Sequence, residues 1–179
     1  MEETVDVLDE FGRFTGKTEK LSVCHSKGLW HRAVFGLIVN ENGDILLQKR
    51  SKEKKLWPGK WDITVGGHVK SGELGKDAII RETKEELGLE IVEKEIYFLV
   101  SSTSRYNHNG YINNHYDECF IIKKEVNINE LKLQETEVSD IRFFSKKDIL
   151  DRINNNYNGL TEKTITWNII KTLIENNRI

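Results

Sequence analysis

The sequence predicts an α+β sandwich in which strands surround two main helices. The clearest strand pair turns at Asn42-Gly43, a dipeptide typical of tight β-hairpins. One helical pattern starts near Glu73 and ends at Gly88, and a second, with one apolar stripe, extends from its expected cap Thr161 to about residue 176. Strand-like segments precede, separate and follow these helices, so we expect a mixed central sheet packed against helices.

Bulk properties exclude several classes of protein. The chain has 179 residues and a formal charge of −2, which is the size of one domain and gives no electrostatic footprint for nucleic acid or an anionic membrane. The acidic N-terminus is unlike a signal peptide, and no apolar run approaches the roughly 20 residues of a membrane span. Cys24 and Cys119 are expected to be reduced thiols. We therefore expect a cytoplasmic protein without a nucleic-acid or membrane partner, and a homodimer is one option for its assembly.

The first third of the chain reads as two hairpins. Residues 4–18 predict two short strands around a Glu-Phe-Gly turn. An irregular or briefly helical connection follows and carries His25 and His31. Residues 33–40 predict an apolar strand, and residues 44–49 predict its partner, with alternating apolar side chains.

The later segments are assigned by the same patterns. Residues 90–104 are extended, and the asparagine-rich residues 105–115 predict a mobile loop. Residues 116–122 return as a strand, and a late strand covers the segment VSDIRFFS. Ser145 is the expected N-cap of a short helix over 146–153.

Three glutamates lie on one face of the first main helix. Glu82 and Glu86 are four residues apart, and Glu82 and Glu85 are three apart, so their carboxylates project from the same side. Like charges at this spacing repel one another unless a cation lies among them, and Arg81 is placed to hold one carboxylate from the side. Oxygen ligands at this density suit Mg²⁺ or Mn²⁺. The alternative is an ordinary charged helix face in water.

A longer spaced pattern favours the metal site over the charged surface. The segment GHVKSGELGKDAIIRETKEELGL resembles the Nudix box, and the matching residues are Gly67, Glu73, Arg81, Glu82, Glu85, Glu86, Gly88 and Leu89. Thr83 departs from the box, which has an aliphatic residue there, and this buried-side change affects packing more than chemistry. The resemblance implies a Nudix-type α/β/α sandwich with an N-terminal β-hairpin and a C-terminal helix.

The same resemblance implies an activity, the metal-dependent hydrolysis of a diphosphate bond in a nucleoside diphosphate-X or a related small molecule. In this interpretation Glu82 and Glu86 hold Mg²⁺ (or Mn²⁺), assisted by Glu85 and the Gly67 carbonyl. Arg81 belongs to the catalytic set and transmits the orienting effect of Glu73.

Further candidates lie outside the box. Nudix hydrolases often recruit another glutamate from a loop opposite the box helix, and Glu135 and Glu137 are candidates by position for a ligand or a base. The alternative is a pair of exposed loop acids. Arg50 is a candidate for binding diphosphate oxygens, and Trp57 and Trp61 are candidates for stacking on a base or an isoprenoid, although tryptophans are commoner in cores.

Flanking phrases are similar to one branch of the superfamily, which holds the isopentenyl diphosphate isomerases and the hydrolases similar to them. These phrases include VDVLDEFGRFTG, HRA and LWPGKWD. The isomerases have an essential cysteine just before the Gly-His pair, where this chain has Gly66. They also use histidines and acids as a separate metal site, and the candidate remnants of that site are His25, His31, His68, His115 and Asp117.

Three functions stay open at this point. The first is a Nudix hydrolase built as a single domain over 1–179, with a hairpin and connection at 1–30, a catalytic core at 31–155 and a C-terminal helix at 160–177. The second is isopentenyl diphosphate isomerase-like activity, which the missing cysteine disfavours. The third is a non-catalytic nucleotide or sugar-phosphate sensor, whose mark would be a damaged box, whereas the charged box positions are intact here.

Overall fold

The computed structural model describes residues 2–108 and 110–179, and nine strands in this part of the chain form one mixed sheet. The strands are β1 (Thr4–Leu8), β2 (Phe14–Lys20), β3 (Trp30–Val39), β4 (Ile45–Arg50), β5 (Trp61–Asp62), β6 (Val65–His68), β7 (Ile96–His108), β8 (Tyr111–Lys123) and β9 (Val138–Phe144). The helices are α1 (Leu21–Lys27), α2 (Gly75–Leu87), α3 (Lys146–Asn154) and α4 (Thr164–Glu175). Single 3₁₀ turns cover Glu93–Glu95 and Ile128–Glu130.

Strand β3 is the centre of the sheet. It pairs in parallel with β8 along its whole length and antiparallel with β6 through Ala33–Gly36. Strand β4 joins near its end at Ile38 and Val39 and carries β5 and β9, while β1 joins at Trp30 and carries β2. The short strand β6, which leads into α2, therefore lies against β3, the described strand that pairs with the most other strands.

Alternating side chains separate two apolar layers. Ile38 and Leu46 pack in the layer that also contains Ile79 of α2. Leu37 and Ile45 point the other way, into the layer formed with the apolar stripes of α3 and α4. Helices thus cover both faces of the sheet, which confirms the predicted sandwich.

The box helix ends as the sequence predicts. Gly88 adopts a left-handed conformation with φ of 64°, and its N–H bonds the Lys84 carbonyl, a backbone state that glycine reaches at little cost. Ser145 caps α3 by accepting the amide hydrogen of Asp148, also as predicted.

The prediction of a loop at 105–115 is wrong. Strands β7 and β8 pair with each other as far as His108 and Tyr111, and residue 109 lies outside the described part of the chain. From Asn114 to Ile122, β8 is paired with β3 on one edge and with β7 on the other, so its backbone is bonded on both sides whatever its side chains are. A polar, asparagine-rich strand is stable in that place, and composition alone could not reveal it.

Two assignments near the ends of the chain also need correction. His31 lies in β3 and not in the connection, while the helix α1 in that connection agrees with the briefly helical option. Thr161 does not cap α4, whose N-cap position is Lys163. Instead, Thr161 is fully buried, and its hydroxyl donates to Asp62. This hydrogen bond connects Thr161 to β5, before α4 begins.

The packing of α4 on the sheet generates a stability prediction. Trp167 is fully buried in the second layer, and its Nε1–H donates to the Thr161 carbonyl at 2.9 Å. We expect Trp167→Ala to lower the free energy of unfolding in urea by about 3–5 kcal/mol, because it leaves a large cavity. Trp167→Phe should cost less, and Phe14→Ala, at an exposed ring, should cost little. A loss below about 1 kcal/mol for Trp167→Ala would show that α4 is not packed on the sheet in solution.

Candidate functional site

The glutamates of α2 differ in their exposure to water. Glu82 and Glu86 are only 8% and 5% exposed, whereas the Glu85 side chain is 49% exposed. Glu82 and Glu85 line a cavity of about 720 Å³ together with Gly66 and Gly67 of β6. Glu86 lies deeper, where Gln48 Nε2 donates to its carboxylate at 3.1 Å and the Gly66 amide donates as well. Two of the three carboxylates are therefore enclosed, whereas the carboxylates of an ordinary charged surface helix would face water.

Gly67 allows the Glu82 carboxylate to reach the backbone of β6. A Cβ at this position would overlap the carboxyl group of Glu82, so no other residue fits without moving that side chain. The close approach brings a carboxylate beside the Gly67 backbone, whose carbonyl the sequence predicts as a further ligand. This position requires glycine because of space rather than conformation.

Arg81 connects the carboxylates to the loop before the helix. Its guanidinium makes a two-pronged pair with Glu73, at 2.9 and 3.0 Å, and donates to the His68 carbonyl at 2.9 Å. It also donates to Glu82 at 2.7 Å and to Glu85 at 3.4 Å. Burial alone would raise the pKa of Glu73, but the hydrogen bonds from Arg81 hold it below its ordinary value. Arg81 is thus fixed by an ionised partner and in turn fixes the orientation of Glu82.

The surroundings of the two enclosed carboxyl groups disfavour their ionised forms when no cation is bound. Burial, with the nearby charges of Glu82 and Glu137, raises the pKa of Glu86 to about 8. Burial also raises the pKa of Glu82, in spite of Arg81. Both carboxylates would ionise readily if a cation lay between them, and an all-oxygen donor set suits Mg²⁺ or Mn²⁺. The residues therefore fit the expected cation.

The two candidate loop glutamates separate in the structure. Glu137 lines the same cavity as Glu82 and forms an ion pair with Lys54. Glu135 is exposed to solvent and is not among the residues that line this cavity. Of the two, only Glu137 lies with the box carboxylates.

A second cavity, of about 490 Å³, adjoins the first. The residues that line both cavities are Lys54, Lys55, Gly66, Gly67, His68, Tyr111 and Glu137. The lining of the second cavity also includes Phe35, Arg50, Trp57, Tyr106, His115, Lys163 and Ile165. Together they form one cleft with an acidic end and an aromatic and basic end.

The two predicted stacking tryptophans have different environments. Trp57 lines the second cavity with its ring centroid 4.8 Å from that of Tyr106. Its φ of 49° is unusual for a bulky side chain, which shows that the surrounding loop holds it there. Trp61 is buried in the second apolar layer against Phe144 and lines neither cavity. Arg50 lines the second cavity as well, with its guanidinium also bonded to Asp62 and the Leu56 carbonyl.

Four histidines converge between the two cavities. One ring nitrogen of each of His25, His31, His68 and His115 lies within 4.8 Å of the others. Within the described residues, Nε2 of His31, His68 and His115 is buried without a hydrogen-bond partner. Burial lowers the pKa of all four rings, to about 4 for His25, so they are neutral at pH 7, the form that binds metals.

Neighbouring groups orient two of these rings. His31 Nδ1 is 2.9 Å from the Leu29 carbonyl, and His115 Nδ1 is 3.5 Å from the carboxylate of Asp117. These contacts direct Nε2 of both rings inward, an arrangement typical of metal-binding histidines. Burial raises the pKa of Asp117 to about 6.

Gly66 stands at the position of the isomerase cysteine, and the Phe35 ring leaves little room there for any side chain. A Cβ on Gly66 would lie 2.9 Å from the Phe35 ring. Cys119 occupies the same register as Gly66 on the other side of β3, since both pair with Phe35, but it is buried and does not line either cavity. Burial raises the pKa of its thiol to about 12. No thiol of the described residues therefore faces the cleft.

Comparison with known proteins identifies the family. Residues 29–163, more than half of the chain, match the NUDIX domain. The chain belongs to the Nudix family. An uncharacterized Nudix hydrolase of Listeria monocytogenes is 35% identical over 144 residues, which is 80% of each chain. An isopentenyl-diphosphate Delta-isomerase of Shigella boydii is 32% identical over 151 residues, 84% of this chain and 81% of that one.

These relatives confirm a Nudix enzyme of the hydrolase kind that is related to the isomerases. Among solved structures, DR0079 of Deinococcus radiodurans has a TM-score of 0.70 at 20% identity and covers 95% of this chain and 98% of its own. A MutT protein of Methanosarcina mazei has a TM-score of 0.62 at 22% identity, with 84% and 96% covered. These two confirm the Nudix fold. In the described part of the chain, no helix is both long and apolar enough to cross a membrane.

Sequence reasoning missed several residues of the cleft in this Nudix protein. Tyr106 fell within the supposed loop, and Lys163 within the supposed last helix. Asp62, which pairs with Lys163, is the last residue of the phrase LWPGKWD, but that phrase indicated no role for it. The only available signal was a tryptophan in each of the two segments, Trp57 and Trp167. That signal is too weak to predict that the segments meet.

The enclosed carboxyl of Glu86 generates a pH prediction for the metal-free protein. Its pKa of about 8 in the folded chain exceeds its ordinary value of 4.5, so between these values the folded state binds more protons and stability falls as pH rises. We expect Glu86→Gln in EDTA to be less sensitive to pH and, at pH 8, more stable than the parent. The slope difference is up to about 1.4 kcal/mol per pH unit in urea unfolding. The exposed Glu10→Gln is the control, and parallel curves for Glu86→Gln and the parent would contradict the assignment.

Proposed function

We propose that this Nudix protein hydrolyses a diphosphate bond in a nucleoside diphosphate-X or a related small organic diphosphate, with Mg²⁺ or Mn²⁺ as cofactor. The observation that carries the proposal is the pair of enclosed carboxylates, Glu82 and Glu86, beside Gly67 and oriented by Arg81. The substrate is thus a small molecule. A cytoplasmic location and a homodimer stay predictions, as does the single domain over 1–179.

The box residues have two proposed roles, metal binding and positioning. Glu82 and Glu86, with Glu85 and the Gly67 carbonyl, are the proposed ligands. The cation supplies charge neutralisation of the diphosphate oxygens and stabilisation of the leaving phosphate. Arg81 holds Glu82 in place, and its pairing with Glu73 prevents it from turning toward the substrate instead.

A glutamate is proposed to accept the proton of the attacking water. Glu137 and Glu85 both line the acidic cavity, and Glu137 lies close enough to influence the pKa of Glu86. Glu135, in its exposed position, is the weaker candidate. Lys54 forms an ion pair with Glu137 and holds its carboxylate at the wall of this cavity.

The organic part of the substrate is proposed to occupy the second cavity. Trp57 offers a ring face there, and the cavity volume of about 490 Å³ lies within the range of small-molecule sites. A planar group would stack on Trp57, while Arg50 binds oxygen atoms of the diphosphate. Trp61, buried in the core, is no longer proposed for this role.

Substitution of the carboxylates tests the proposal. We expect Glu82→Gln and Glu86→Gln each to lower kcat for phosphate release with Mg²⁺ on the order of 10³-fold, because each removes a charged ligand from the reacting phosphate. The assay screens nucleoside diphosphate sugars, dinucleoside polyphosphates, NADH, modified nucleoside triphosphates and prenyl diphosphates. Exposed Glu90→Gln is the matched control, and near-parental rates in both box variants would refute the metal assignment.

The same preparations separate the alternative functions. Isopentenyl diphosphate incubated in D₂O would gain deuterium in the dimethylallyl product if the protein were an isomerase. We expect none, because Gly66 supplies no acid or base and Phe35 covers it. Tight binding of a nucleotide without turnover would instead indicate a sensor.

We also propose that the four-histidine cluster binds a transition metal separate from the box cation. Four neutral imidazoles suit Zn²⁺ or another nitrogen-preferring ion rather than Mg²⁺. The buried, unpartnered Nε2 atoms of His31, His68 and His115 support this proposal, since buried polar atoms normally have partners.

Metal titration tests the histidine cluster independently of catalysis. We expect the EDTA-treated protein to bind one equivalent of Co²⁺ with the visible absorption of a tetrahedral site, and His31→Gln/His115→Gln to weaken binding at least about tenfold. Glu82→Gln should leave this binding unchanged, because it alters the other site. Equal Co²⁺ binding by the double-histidine variant and the parent would rule the cluster out.

A further inference from the structure

A buried carboxylate joins the C-terminal segment to the wall of the second cavity. Asp62 is 1% exposed and accepts hydrogen bonds from Lys163 Nζ at 2.8 Å, from Arg50 Nη1 at 3.2 Å and from the Thr161 hydroxyl at 3.2 Å. Burial alone would raise the pKa of Asp62, but Lys163 and Arg50 hold it below its ordinary value. Asp62 is therefore an ionised, immobile anchor for two cations.

These two cations exceed the charge of their partner. Among the ion pairs of residues 2–108 and 110–179, Asp62 is the only carboxylate that pairs with either Arg50 or Lys163. Their side chains are 15% and 21% exposed, and both line the cavity. The two cations thus share a single ion-pair partner in a partly dehydrated place, where they attract an anion more strongly than a surface lysine does.

No other carboxylate of the described residues forms an ion pair with Arg50 or Lys163. Glu137 is paired one to one with Lys54. Glu53 and Glu162 line the cavity too, but both are exposed to solvent, which screens them. Burial raises the pKa of Asp117, and the nearby charge of Lys163 opposes that rise, but the two side chains form no ion pair.

Contacts connect this cationic pair to the box. Lys163 Nζ lies 4.9 Å from the centroid of the Phe35 ring, and that ring covers Gly66. Gly67 follows and contacts Glu82. An extended ligand that reaches the box carboxylates along this wall would therefore meet the cations at its other end.

We propose that Lys163 and Arg50, positioned by Asp62, form an anion subsite for a phosphate of the substrate other than the one held at the box carboxylates. The proposal rests on diphosphate hydrolysis as the function, and it adds a residue of the C-terminal segment to the substrate site. Lys163 is then a specificity-determining residue, and Asp62 is a positioning residue.

Binding of inorganic phosphate and pyrophosphate in EDTA, measured by calorimetry, tests the subsite without metal or turnover. Lys163→Met leaves Asp62 paired with Arg50, so the fold should survive with little change in Tm. We expect both probes to bind about tenfold more weakly to Lys163→Met, the loss of one charge-assisted contact. Lys163→Arg should bind within about twofold of the parent, and Lys147→Met, which removes an exposed lysine of α3 outside both cavities, should not differ from it.

Kinetics with a hydrolysed substrate provide the second measurement. A contact made equally before and during the reaction should raise KM about tenfold in Lys163→Met and leave kcat nearly unchanged. Unchanged phosphate and pyrophosphate affinity in Lys163→Met, no measurable binding by the parent, or failure of Lys163→Arg to restore binding would each overturn the subsite. Full activity of Glu82→Gln and Glu86→Gln would overturn the proposed hydrolysis instead, and the metal-free binding result would stand apart from it.

Discussion

The arrangement of the carboxylates on α2 depends on the guanidinium of Arg81. Three glutamates on one helix face repel one another, and two of them are withdrawn from water, which adds a desolvation cost. Arg81 offsets part of this cost by bonding Glu82 and Glu85, but its two-pronged pair with Glu73 limits how far it can move toward them. The result is a cluster held in place and still short of positive charge, which is the state that favours a divalent cation.

The glycine pair of β6 extends this constraint to the rest of the cleft. Gly67 leaves room for the Glu82 carboxylate on one side, and Gly66 leaves room for the Phe35 ring. Strand β6 tolerates two glycines in succession because four of its residues pair with β3, which is itself paired with β8. The same wall separates an acidic cavity, suited to a cation, from an aromatic and basic cavity, suited to an anionic organic molecule.

The sequence predicted the parts of the site whose residues are close together in the chain. The spacing from Gly67 to Leu89 was sufficient for the family, the helix with its glycine cap, and the face shared by the carboxylates. The residues of the second cavity come from distant segments, and their meeting depends on strand pairing. Polar composition concealed the β7–β8 pairing at Tyr106, and the same lack of a local pattern concealed the ion pair of Asp62 with Lys163.

Packing also places the two neighbouring tryptophans, Trp57 and Trp61, in different environments. Trp57 and Trp61 are four residues apart, yet one lines the cleft and the other fills the core against Phe144. Trp61 lies in β5 and its side chain packs in the layer covered by α3 and α4, while Trp57 precedes the strand, in a loop whose Leu56 carbonyl bonds to Arg50. A tryptophan in either place satisfies the same sequence pattern, so the pattern cannot tell substrate contact from core.

The positions of these elements separate chemistry from specificity in this fold. The proposed metal ligands and Arg81 lie within one strand, one loop and one helix, and Glu137 adds a candidate base from the segment before β9. The walls that would select the substrate come from the loop with Trp57, the β7–β8 pair and the C-terminal segment with Lys163. Changes in those walls do not disturb the bonds of Arg81 to Glu73 and Glu82, so a chain of this kind can alter the molecule it accepts while the carboxylate cluster stays intact. A box that identifies the family but not the substrate is the expected consequence.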